Sequence, residues 1–152
     1  MRFLARMAQV EQLAFFARNP SKARPYANRF IAAALCQGAA LHFLDGKCGV
    51  KDFDIHLFYI QHPRYRQLSR TVKSFPEKVP DFGVRRLDFI RSVVPARIVD
   101  ANKPNVTNIL RRFLGERPTS NSKYLAEKAV VGLLPERIFG KVIWPIDDVD
   151  AS

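Results

Sequence analysis

Cysteine is nearly absent, with Cys36 and Cys48 the 2 thiols among 152 residues. Without a C-x-x-C spacing they make neither a secreted disulfide framework nor a zinc site, and His42 and His62 add no zinc pattern, so reduced thiols in a cytoplasm are expected. No apolar run approaches the roughly eighteen residues of a membrane-spanning helix, which excludes a helical membrane anchor from the expectation. The first segment is broken by Arg2, Arg6, Glu11 and Arg18 and so has no signal-peptide core. P-loop, dinucleotide-binding and nucleophile-elbow motifs are all missing, which sets aside the commonest nucleotide and hydrolase signatures. Negative charge is scarce too: 14 Asp+Glu stand against 25 Lys+Arg, a net charge of +11. That excess attracts polyanions, so RNA or another polyanion is an expected partner, although a merely solvated basic surface accounts for it equally well.

What is present suits one globular domain over residues 1–152, with 47% hydrophobic and 26% charged residues. A helix is expected over 1–20, with Phe3, Met7, Val10, Ala14 and Ala17 at helical spacing and Leu4, Leu13 and Phe16 beside them. It stops at Asn19-Pro20. The apolar run Phe30–Cys36 reads as a buried strand, followed by a break at Gln37-Gly38-Ala39 and a brief helix over 39–44. A second strand is expected over 52–60 and a third over 84–94, with a short helix near 63–74 between them. C-terminal helices are expected over 102–135, the first with the stripe Val106, Ile109, Leu110 and Phe113 and Pro104 in its first turn, the second reaching Gly132 and Leu133. A short strand over 139–144 and a loose acidic tail over 147–152 close the chain. The class is α/β or α+β: a small mixed sheet of three to five strands covered by helices.

The strand Asp52-Phe53-Asp54-Ile55-His56-Leu57-Phe58-Tyr59-Ile60 carries the chemistry. Alternation puts Phe53, Ile55, Leu57 and Tyr59 on one face and Asp52, Asp54 and His56 on the other. Carboxylates at i and i+2 lie roughly 6.5–7 Å apart at their Cα atoms. Close and unpaired they repel, and one keeps its proton unless a cation or an arginine intervenes. Mg²⁺ is the natural cation, since it takes oxygen ligands and bridges phosphates through one or two carboxylates. In the third strand Asp88 shares a face with Val84, Arg86, Ile90 and Ser92.

Gly38, thirteen intervening residues, Asp52-Phe53-Asp54-Ile55, and Asp88 within Arg86-Leu87-Asp88-Phe89-Ile90 together resemble the DNA polymerase β-like nucleotidyltransferase superfamily. The resemblance covers 30–94, the motif-bearing core. It implies transfer of a nucleoside monophosphate from a nucleoside triphosphate to a hydroxyl, with RNA or a protein as acceptor and Mg²⁺ as cofactor. Asp52 and Asp54 would then hold Mg²⁺ against the triphosphate, and Asp88 would bind a second ion or take the acceptor proton. Gln37, Gly38, Ala39 and Lys51 would contact the nucleotide, Gly38 by letting the backbone approach its phosphates.

The chain departs from the family where a second Gly or a Ser usually follows the glycine; here Ala39 stands. It also lacks a substantial second domain. Both departures suit an alternative, a catalytically inactive module of the same fold that holds nucleic acid or a partner protein through its basic surface. A metal-dependent phosphodiesterase is a further alternative that leaves the glycine turn unused. Residue by residue there are plainer readings: Asp52 and Asp54 solvated at a strand edge, Asp88 paired with Arg86 or Arg91, Gly38 a turn glycine, His56 a satisfied half-buried group, and the basic stretch 64–78 a solvated helix face.

Overall fold

The computed structural model describes residues 1–46, 49–65, 68, 73–102 and 105–146. Helix α1 (Arg2–Arg18) opens the chain, and α2 (Pro20–Ala23) and a 3₁₀ turn at Arg24–Tyr26 lead into β1 (Phe30–Cys36). Then follow α3 (Gln37–Asp45), β2 (Asp52–Ile60), β3 (Lys73–Val79) and β4 (Gly83–Val94). The remaining elements are α4 (Ala96–Ala101), α5 (Val106–Glu116), α6 (Ser120–Leu125), β5 (Val130–Leu134), a 3₁₀ turn at Glu136–Ile138 and β6 (Val142–Trp144).

The six strands form one sheet in the order β3-β4-β2-β1-β5-β6. Only β2 and β4 run parallel; the other neighbours are antiparallel. The mixed α+β class is the expected one, and the sheet is one strand wider than the expected upper limit. Alternation sorts the strands onto two cores. Ala33, Leu35, Phe53, Ile55, Leu57, Leu87 and Phe89 pack with Leu4, Ala8 and Phe15 of α1 and Ala39 and Ala40 of α3. On the opposite face Ala32, Ala34, Cys36, Phe58 and Val94 pack with Ile98, Ile109, Leu110, Phe113 and Leu125 of α4, α5 and α6.

Four expectations are corrected. In α1 the buried side chains are Leu4, Ala5, Ala8, Glu11, Gln12 and Phe15. Val10 of the expected stripe and Leu13 beside it are each 60% exposed. The helix is rotated because Glu11 and Phe15 grip Arg91 of β4, by an ion pair at 3.7 Å and a stacked ring. The expected helix near 63–74 fails at its described ends: Pro63 and Arg64 form a bend, and Lys73 and Ser74 open β3. The two expected C-terminal helices have other bounds. Asn105, not a residue near 102, caps α5 by accepting from the Asn108 amide at 3.0 Å. The second helix ends at Leu125, and Val130–Leu134 is a strand. Gly132 belongs there because a Cβ would lie 2.1 Å from the Ile138 carbonyl oxygen. Pro104, Cys48, the acidic tail and much of the basic stretch lie outside the described residues. Among the described residues, no helix is long and apolar enough to cross a membrane.

Candidate functional site

The three carboxylates meet on one face of the sheet. In the parallel pair of β2 and β4, Asp54 is in register with Asp88 and Asp52 with Arg86. Across the antiparallel pair of β1 and β2, Cys36 is in register with Asp54 and Ala34 with His56. Lateral partners in a sheet share a face, so Asp52, Asp54, Asp88, Arg86 and Cys36 form one patch. Asp52 and Asp54 are half-buried and Asp88 is 8% exposed.

The electrostatics are those of crowded like charges. Burial raises the Asp54 carboxyl first, the Asp88 charge and a side-chain hydrogen bond with Asp88 raise it further, and Asp52 adds to them; Arg86 opposes. The outcome is a pKa of about 6, so Asp54 holds its proton far above the ordinary carboxylate range. Burial likewise pushes the Cys36 thiol up, and the Asp54 charge adds to the effect. Arg86 ties the other two carboxylates together, donating from Nη2 to Asp52 Oδ2 at 3.0 Å and lying with Nε 3.2 Å from Asp88 Oδ1. Ser74 of β3 donates its hydroxyl to the same Asp88 oxygen.

Helix α3 starts beside this patch, directly after Cys36. The left-handed backbone of the turn falls on Gln37, at φ 61°, and not on Gly38. Gln37 is strapped down: its amide donates to the Ala129 carbonyl at 3.1 Å and its side chain to the Tyr124 carbonyl at 3.2 Å. A Cβ built on Gly38 meets no atom within 4 Å. The fold therefore gives no reason for glycine there, although glycine costs helix stability. Ala39 packs into the α1–α3 core, and Lys51 is exposed one residue before β2.

Thus Asp52, Asp54 and Asp88 come together as expected, with the start of α3 beside them. Two participants went unassigned in the sequence. Ser74 lies on a strand read as the end of a helix, and Arg86 was considered only as a structural partner. Its i−2 spacing from Asp88 on an extended run was the available signal. Of the two arginines considered for Asp88, Arg86 is the partner; Arg91 projects from the opposite face. His56 is fully buried on the carboxylate side, its ring 6.4 Å from that of Phe58.

As the side chains stand, no group of three or more His, Cys, Asp or Glu among the described residues is arranged to hold a metal ion. Arg86 engages both Asp52 and Asp88, and Asp54 is electrostatically coupled to Asp88 in the next strand. Two hard-oxygen donors side by side fit Mg²⁺, which needs only one or two carboxylates when phosphates complete its shell. Comparison with protein-family models, curated proteins and solved structures finds no match for the chain.

Proposed function

We propose that this chain is a cytoplasmic nucleotidyltransferase-like protein that transfers a nucleoside monophosphate from a nucleoside triphosphate to a hydroxyl of RNA or protein. The observation that carries this reading is the lateral register of Asp54 and Asp88, two electrostatically coupled carboxylates beside a helix that opens with a glycine the fold does not need. Asp54 and Asp88 would hold Mg²⁺, with Asp52 joining them. When bound, the ion offsets the negative charge of the phosphates and of these carboxylates. Gly38 leaves the first turn of α3 open to phosphate oxygens, at a helix N-terminus that favours anions. The acceptor oxygen attacks the α-phosphorus, the α–β phosphoanhydride bond breaks, pyrophosphate leaves, and Asp88 takes the acceptor proton. Arg86 sits where it can exchange its carboxylate partners for phosphate oxygens.

A second reading is favoured by the same arginine. With Arg86 joining Asp52 to Asp88, the patch is already partly neutralised, as suits an inactive module of this fold that binds nucleic acid or a partner protein. Incubation with α-labelled triphosphates, Mg²⁺ and RNA or the protein itself separates the two. Covalent label on the acceptor that disappears in Asp54→Asn supports the transferase. Absence of label with all four nucleotides supports the inactive module, and label that survives Asp54→Asn rules out the role given to Asp54.

A further inference from the structure

A second polar region lies at the other end of the parallel strands. From Asp52 to Ile60 the chain advances by roughly 26 Å at about 3.3 Å per residue, so this end is remote from the carboxylates. Two cavities adjoin here. One, of about 430 Å³, is lined by Arg24, Pro25, Asn28, Arg29, Ile60 and His62. The other, of about 350 Å³, is lined by Gln61, His62, Pro63, Pro95, Ala96 and Arg97. His62 is the wall they share. Neither lining contains an acidic side chain among the described residues.

The shared wall is aromatic and fixed in place. His62 Nδ1 accepts from the Arg64 and Tyr65 amides at 3.0 and 3.2 Å, so its hydrogen sits on Nε2. The Tyr65 ring lies 5.2 Å from the imidazole and is 52% exposed. Tyr26 is buried beneath, its hydroxyl donating to the Tyr65 carbonyl and accepting from the His62 amide. Arg29 donates to the Gln61 carbonyl at 3.1 Å, which tethers one side of the first cavity, while Arg24 is exposed at its rim.

We propose that these paired cavities bind single-stranded nucleic acid, with phosphates at Arg24 and Arg29 and a base stacked on the exposed Tyr65 ring beside them. Each cavity has the size of a small-molecule site, and two in a row about an aromatic divider suit successive units of one strand. Cations with exposed rings are the combination that binds single strands with little sequence preference. Binding itself needs no catalysis and does not rest on the transferase reading.

The probe is a fluorescein-labelled twelve-nucleotide oligouridine, its anisotropy followed at several salt concentrations in EDTA without triphosphate. These conditions and the use of the Asp54→Asn chain keep the result independent of transfer. Affinity should fall with salt, and Arg24→Glu should weaken it by about tenfold or more and flatten the salt slope by about one unit. Tyr65→Ala should weaken it by about five-fold or more while leaving the slope unchanged. Lys141→Glu, the same charge change just before the edge strand β6, should change it less than about two-fold. An oligodeoxyuridine arm tells DNA from RNA, and tighter binding of either strand supports the proposal. Equal losses in Arg24→Glu and Lys141→Glu, or no binding at low salt, would overturn it.

Discussion

Strand β4 carries two buried charges three residues apart, and they have opposite characters. Arg91 is 1% exposed on the α1 side, where Glu11 lies 3.7 Å away and the Phe15 ring stacks 3.7 Å from the guanidinium carbon. Glu11 is shared with Arg18 at 2.5 Å. Asp88 is on the other side, in register with a second carboxylate and near a third, with one half-exposed arginine among them. The first cluster has anion and cation in contact and an aromatic lid, and it anchors a helix. The second carries surplus negative charge, which adds to burial in raising the Asp54 carboxyl. Burial of a charge is thus no mark of function by itself; like charge that Arg86 only partly offsets, beside the start of α3, is what sets the second cluster apart.

Breaking the first cluster should have the largest effect. Glu11→Gln leaves the Arg91 charge buried without its carboxylate and is expected to cost about 3–5 kcal/mol in urea unfolding. A loss below about 1 kcal/mol would show that Arg91 does not depend on Glu11. Breaking the second should act in the opposite direction. Folded Asp54 binds its proton up to about pH 6, whereas the unfolded residue releases it near its ordinary value of about 4. Native protein therefore binds more protons between those values, and stability should fall as pH rises through that window and stay low above it. Asp54→Asn should remove this slope and stabilise the protein at pH 7 by about 1–3 kcal/mol, read by denaturant titration across the range. A destabilised variant would contradict the crowding.

Gly38→Ala tests the open helix start. It should raise stability by up to about 1 kcal/mol, since nothing obstructs the Cβ, while weakening triphosphate binding. Unchanged binding would return Gly38 to a simple turn. Arg86→Ala has the smallest expected effect on the fold, below about 1 kcal/mol, because its side chain is 58% exposed. It should raise the Asp54 carboxyl further, visible as an extension of the stability slope above pH 6.

The carboxylate patch was legible because β2 and β4 are apolar strands whose alternation fixes the faces; Asp52, Asp54 and Asp88 needed only the period of two. Their pairing was not legible, since register belongs to the sheet and no single strand states it. Strand β3 escaped because it is an edge: Lys73, Glu77 and Lys78 read as solvated, and Pro76, tolerated only at an edge, reads as a terminator. Strand β5 escaped because Leu125, Ala129, Gly132 and Leu133 mimic a helical stripe. Its β-branched pair Val130-Val131 and the glycine at a close backbone approach were the contrary signals. The rotation of α1 depended on Arg91, eighty residues away in sequence from Glu11.

The most direct test is thermal unfolding of wild type and Asp54→Asn with each nucleoside triphosphate, with and without Mg²⁺. A ligand at about 100 times its dissociation constant stabilises by about 2.7 kcal/mol, which raises the melting temperature of a chain this size by roughly 5–10 °C. The account predicts such a rise for wild type with at least one triphosphate, dependent on Mg²⁺ and lost in Asp54→Asn. A rise that is the same without Mg²⁺ and in the variant, or no rise with any triphosphate, would contradict it.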